Sequence, residues 1–180
     1  MADESKVVRA EPLTQKHYVP YGDVISARDD IHPTPANRGT AERFNYLTKV
    51  ENRRQGNSQN QAQANLCLFR CQPQISSHDT FFEVSVLEKH PLSTQAFIPM
   101  SGVNRFLVIV CLGEEAPDLS TLRAFLASST QGITYHPGVW HHPLVAMDQQ
   151  SDFACLVWED GTIDDCLTVE LQENRVKVNL

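Results

Sequence analysis

Glu88, His90 and Gln95 stand inside a largely apolar stretch, EVSVLEKHPLSTQAFIPMSG, over residues 83–102. A second concentration lies downstream, where His136, His141 and His142 fall within seven residues beside Tyr135 and Trp140. A carboxylate, an amide oxygen and imidazoles form a mixed oxygen and nitrogen donor set that suits Mn, Ni, Fe or Zn and not a metal selected by thiolates. An imidazole, with a reference pKa of about 6.5, is also a natural proton acceptor near neutral pH. The competing explanation is structural: a hydrogen-bonded interior acid and histidines satisfied by packing. Chemistry requires that residues far apart in the chain meet in one cavity.

The elements around these residues are mostly short apolar runs broken by Pro, Gly and Asn, which predicts a mainly β domain of sandwich or barrel type. The expected strands are LCLFRC, FFEVSVLEKH, QAFIPM, RFLVIVCL, ITYH, VWHHPLVAM, DFACLVW and CLTVEL. RFLVIVCL is apolar on both faces and is expected to be central and covered twice. In one continuous strand, Phe82, Val84, Val86, Glu88 and His90 share a face, with Ser85, Leu87 and Lys89 on the other. His141 and His142 are adjacent and face opposite ways; spacing from Gly138 favours His141 inward, with Trp140 and His142 at the rim or outside. Two short peripheral helices are expected, in TQKHYVPYGDVI with Thr14 as cap, and in PDLSTLRAFLASS, where Leu119, Leu122, Phe125 and Leu126 share a helical face. Pro33 and Pro35 mark SARDDIHPTPANRG as loop. Residues 51–64, ENRRQGNSQNQAQA, lack large apolar side chains and read as a flexible insertion at the tip of a hairpin between ERFNYLTKV and NLCLFRC.

The 180 residues fit a single domain. A formal charge of −7, from 15 Lys and Arg against 22 Asp and Glu, argues against nucleic-acid binding. The only basic pair with neighbours, Arg53-Arg54, reads as solvated loop. The stretch MADESKVVRA has no apolar core of the kind a signal peptide needs and no run approaches the ~18 apolar residues of a membrane span, so a cytoplasmic protein is expected. Five cysteines without a CxxC pattern read as free, largely buried thiols.

The spacing Glu88-x-His90, four residues, Gln95, six residues, Gly102 resembles the first motif of the cupins, small β-barrels whose histidines and a glutamate bind metal. Gly132, Pro137-Gly138 and His141 resemble the second. The candidate metal ligands on this reading are Glu88, His90, Gln95 and His141. More specifically, YGDVI, HPLSTQAFIPMSG and PDLSTLRAFLASSTQGITYHPGVWHHPL resemble the ureidoglycolate lyase family, over nearly everything from Glu11 to Leu171 apart from the polar insertion. The resemblance implies a cupin-like barrel or jelly roll, usually a homodimer, that cleaves (S)-ureidoglycolate to glyoxylate and urea in allantoin and purine nitrogen breakdown. Nickel is associated with some members of that family, and a divalent ion, Ni or Mn, is the candidate cofactor. Glu159-Asp160 stands where bacterial members often carry Asp-Arg, so no substrate-binding arginine is carried over there.

That substrate is a carbinolamide, so cleavage needs a base for the hydroxyl, a proton for the departing nitrogen and a grip on the carboxylate. His90 or His141 could serve as base, Tyr135 or His136 as donor, and Lys89, if a bend turned it inward, could balance carboxylate charge. Gln95 and His142 line the substrate, with Phe97 and Trp140 as walls excluding water. A non-catalytic cupin holding a small carboxylate such as glyoxylate is the alternative.

Overall fold

The computed structural model describes residues 6–54, 61–171 and 175–180. From the N-terminus its strands are β1 (Lys6–Pro12), β2 (Val24–Ile25), β3 (Thr34–Ala36), β4 (Ala41–Arg43), β5 (Gln63–Cys71), β6 (Pro73–Ile75), β7 (Phe81–Val84) and β8 (Val86–Lys89). There follow β9 (Gln95–Ser101), β10 (Arg105–Leu112), β11 (Asp118–Ser128), β12 (Gly132–Tyr135), β13 (Trp140–His141), β14 (Val145–Met147), β15 (Ser151–Glu159), β16 (Leu167–Glu170) and β17 (Val176–Asn179). Among the described residues one α-helix, α1 (Gln15–Tyr18), is only a turn long and is capped by Thr14, whose side chain accepts from the His17 N–H.

The chain is mainly β, as expected. Among the described residues, one ten-stranded sheet runs β16-β8-β13-β10-β11-β1-β17-β7 with β14 and β6 attached to β10. Its path returns on itself, because β7 at one end continues through Ser85 into β8 near the other. A five-stranded sheet, β2-β12-β9-β15-β5, faces it. Two apolar cores result. The first joins Phe106, Val108, Val110 and Phe125 of the large sheet to Phe97, Ile133, Tyr135, Phe153 and Cys155 of the small one. The second lies inside the curl of the large sheet and contains Val84, Leu87, Leu107, Ile109, Trp140 and Val178. β10 sends alternate residues into each core, so both of its faces are covered.

Several expectations change. PDLSTLRAFLASS is strand β11, not helix, paired with β10 from Arg105↔Ser128 to Val110↔Arg123 and in parallel with β1. A strand between two cores is apolar on both faces: Phe125 and Ala127 enter the first core, Leu122 and Ala124 the second. Such a pattern meets helical spacing by accident. The break at Ser85 also shifts the alternation, so that Val84 and Leu87 enter the same core. The hairpin across the polar insertion does not form. β4 pairs with β3, a pairing that tolerates Pro35 in a two-stranded edge, and β5 pairs along all nine residues with β15, where Cys67 and Phe69 can turn toward the first core. The centre of the insertion, 55–60, lies outside the described residues.

Gly22 of the YGDVI motif has a steric reason. A Cβ built there would stand 1.7 Å from the Thr134 carbonyl oxygen. The turn lies this close to β12 because the Tyr18 hydroxyl donates to the Thr134 carbonyl at 3.0 Å and the Thr134 N–H donates to the Asp23 carbonyl at 2.9 Å. Gly22→Ala is therefore expected to destabilise by about 1–3 kcal/mol through overpacking, a fall in Tm of roughly 3–10 °C for a domain of this size, read by thermal melting.

Candidate functional site

β8 and β13 are antiparallel neighbours with His141 directly opposite Glu88. Opposed residues of such a pair project from the same face, and Glu88 Oε1 lies 3.5 Å from His141 Nε2. His90 follows the end of β8, and its carbonyl accepts the Gly138 N–H at 2.9 Å, which fastens the 136–139 turn beside it. Gly138 takes φ 86° in that turn, a conformation that glycine adopts without penalty. The His90 and His141 rings lie 5.6 Å apart. One ligand atom from each of Glu88, His90 and His141 falls within 4.8 Å of the others, a cluster that could hold a metal ion.

Each histidine's tautomer follows from its partner. His90 Nδ1 is 2.6 Å from the Asp165 carbonyl and His141 Nδ1 is 2.9 Å from the Val139 carbonyl. A carbonyl only accepts, so both Nδ1 atoms carry hydrogen and, in the neutral ring, both Nε2 atoms carry a lone pair. Both Nε2 atoms are buried without a hydrogen-bond partner. A histidine donating its other N–H to a backbone carbonyl is the usual arrangement around a bound metal, so the residues fit such an ion.

Electrostatics agree. Burial pushes the Glu88 carboxyl up, but the neighbouring His141, with His90 and His142 behind it, outweighs this and holds it below its ordinary value. Burial, with the nearby His141, lowers His90, against the opposing pull of the Asp165 carbonyl. The site therefore presents an ionised carboxylate beside a neutral His90 at pH 7.

Tyr135, from the facing sheet, stacks on His141 with ring centroids 3.8 Å apart and planes 8° from parallel. The site thus sits at the seam between the two sheets. Burial, and then the Glu88 carboxylate, push the Tyr135 phenol far up, so it stays protonated. Gln95 is opposite Tyr135 in the β9–β12 ladder; its amide is buried against the Cys155 thiol with Oε1 unpartnered. Phe97 lies behind Tyr135, edge-on at 6.4 Å, in the first core.

Other expected residues are not brought to the cluster. Lys89 faces the opposite side of β8, where Nζ donates to the Glu114 carbonyl and stands 4.6 Å from the Trp140 ring. Trp140 is 1% exposed in the second core, not at a rim. His142 is also buried: its ring meets Phe82 edge-on at 5.1 Å and its Nδ1 lies 2.7 Å from the Pro143 carbonyl. The alternation that turns His141 toward the seam turns both neighbours away. His136 is half-buried in the turn after β12, held there by backbone hydrogen bonds to Tyr21 and Val139. Lys89→Ala is accordingly expected to keep kcat/KM within about threefold while lowering stability by about 1 kcal/mol through the lost cation–π contact, measured by progress curves and thermal melts.

Cys166, read from the sequence as one more free thiol, borders the cluster instead, its Sγ 3.9 Å from Glu88 Oε2. Only the pairing of β16 with β8 reveals this, since Thr168 is the residue in register with Glu88.

Comparison with known proteins accords with the motif strings. The family model described as ureidoglycolate lyase matches residues 5–179. A ureidoglycolate lyase of Salmonella paratyphi B is 44% identical over 157 residues, covering 86% of this chain and 88% of the relative. That of Salmonella typhimurium is 43% identical over the same length and shares. Among solved structures, a dTDP sugar isomerase from Desulfovibrio desulfuricans G20 superposes with a TM-score of 0.46 at 16% identity, over 82% of this chain and 83% of that one. On the extent and identity of the sequence matches, the chain belongs to the ureidoglycolate lyase family.

Proposed function

We propose that this protein is a carbon–nitrogen lyase that splits (S)-ureidoglycolate into glyoxylate and urea, a step of allantoin and purine nitrogen breakdown in the cytoplasm. The observation that carries the reading is the convergence, in a chain of this family, of Glu88, His90 and His141 with two buried and unpartnered Nε2 atoms.

The substrate carbon bears a hydroxyl, a carboxylate and a urea nitrogen. Loss of the hydroxyl proton lets the C–O bond become a carbonyl as the C–N bond breaks, and the nitrogen takes up a proton; no water is consumed. His90 and His141 aim their Nε2 atoms at the cluster, and Glu88 stays ionised beside them. Glu88 presents one oxygen to His141 and the other to the Cys166 thiol. We assign to it the transfer of the hydroxyl proton to the departing nitrogen. A divalent ion, Ni or Mn, held by these three side chains would supply Lewis acidity toward the hydroxyl and carboxylate oxygens. Tyr135, fixed protonated against His141, keeps that imidazole in place and closes the site from the small sheet.

The protein is further proposed to act as a homodimer. The outer face of the small sheet exposes Leu66 (74%), Leu68 (52%), Ile98 (39%) and Met100 (61%), and β5 is its edge strand among the described residues, features that mark association surfaces.

The test is release of urea and glyoxylate from ureidoglycolate by purified protein, before and after chelation and after return of Ni or Mn. Acceleration that chelation removes and metal restores is expected. Glyoxylate binding without turnover under every metal condition would overturn the lyase reading.

A further inference from the structure

Arg54 comes from the polar segment expected to be solvated, yet its side chain is 5% exposed. Its Nε lies 3.2 Å from Asp160 Oδ2, Nη1 donates to the Trp158 carbonyl at 3.1 Å, and Nη2 donates to Asp165 Oδ1. The planar fork of a guanidinium suits such multiple bridging, where an ammonium would reach fewer partners. The two carboxylates in turn organise their own loop. Asp165 accepts the backbone N–H groups of Asp160 at 2.9 Å and Gly161 at 2.7 Å, and Asp160 accepts those of Thr162, N–H at 3.0 Å and hydroxyl at 2.6 Å.

This loop presents the Asp165 carbonyl to His90 Nδ1. The backbone next to Arg54 is tied to the segment that follows His90: Arg53 N–H donates to the Leu92 carbonyl at 2.7 Å and Thr94 N–H to the Glu51 carbonyl at 3.0 Å. Arg54 therefore joins the two pieces of chain that bracket His90. Without it, two carboxylates would remain close together with no cation between them, and their repulsion would open the loop.

We infer that Arg54 is a positioning residue: by holding Asp160 and Asp165 it keeps the Asp165 carbonyl on His90 Nδ1, and so keeps His90 as the tautomer whose Nε2 points at Glu88 and His141. Its importance for catalysis rests on the reaction proposed above; its effect on His90 does not.

The experiment compares wild type, Arg54→Met and Arg54→Lys by long-range 1H–15N correlation of the histidine rings, with Ni2+ affinity by equilibrium dialysis and steady-state kinetics alongside. Wild-type His90 is expected to be protonated at Nδ1 alone. Arg54→Met should show a mixture of both neutral tautomers, roughly tenfold weaker Ni2+ binding as for loss of a ligand's supporting partner, and a fall in kcat with KM little changed. Added ethylguanidinium should restore part of each. If Arg54→Met fails to fold, Arg54→Lys, which keeps charge but not the fork, decides with the same tautomer signature at smaller amplitude. An unchanged His90 tautomer in the variant that folds overturns the inference, whatever happens to Tm. Wild type that turns over no ureidoglycolate rejects the lyase reading and leaves the tautomer comparison intact.

Discussion

Glu88→Gln lowers the rate of ureidoglycolate cleavage by about 10²–10⁴-fold, the range for loss of a group that moves a proton in the transition state, while Tm moves by only a few degrees. The amide matches the carboxylate in size, so the β8–β13 pair in which the two residues face each other keeps its shape. What disappears is the negative charge that His141, His90 and His142 hold in place. Glyoxylate release and thermal melting, measured on the same preparation, separate the two effects. A variant retaining more than about a tenth of the wild-type rate would remove Glu88 from the proton path.

His141→Ala is expected to abolish both turnover and tight binding of Ni2+, and to lower stability by about 2–4 kcal/mol, the scale for emptying a buried aromatic site and stranding a carbonyl. The ring is 1% exposed, stacked on Tyr135 and bonded to the Val139 carbonyl. Its loss would leave a void at the seam between the sheets. A fall in Tm of roughly 5–15 °C follows for a domain of this length. His142→Ala provides the contrast. That ring packs on Phe82 toward the second core, so its removal should cost stability without a comparable loss of rate. Equal loss of rate in both variants would sink the assignment of His141 to the site.

The β character and the doubly covered RFLVIVCL strand were legible because apolar runs of that length between turn residues have few alternatives. The strands made of charged and short runs were not. β1, KVVRAEP, becomes a strand only by parallel pairing with β11 and β17, distant partners that no local pattern announces. β11 mimics a helix in its sequence because a strand sunk between two cores loses the alternation that would identify it. At the site, residue type pointed to Glu88, His90 and His141, and their meeting follows from one register, His141 opposite Glu88. Lys89 and Trp140 could not be excluded by type; they pack on each other across the far face of the same two strands. Cys166 and Arg54 were invisible for the opposite reason, since nothing in CLTVEL or ENRRQ states which segment will lie against it.

The pairing of Val8 with Val178, and of Val178 with Phe82, bears on the order in which the sheet can assemble. β17 follows β8 to β16 in chain order, yet it is the strand that joins β1 to β7, and β7 runs directly into β8. The large sheet thus cannot close before β17 is in place. The stretch bearing the carboxylate must await β17 before its surroundings set, and contacts of such long sequence separation make for slow acquisition of the native state.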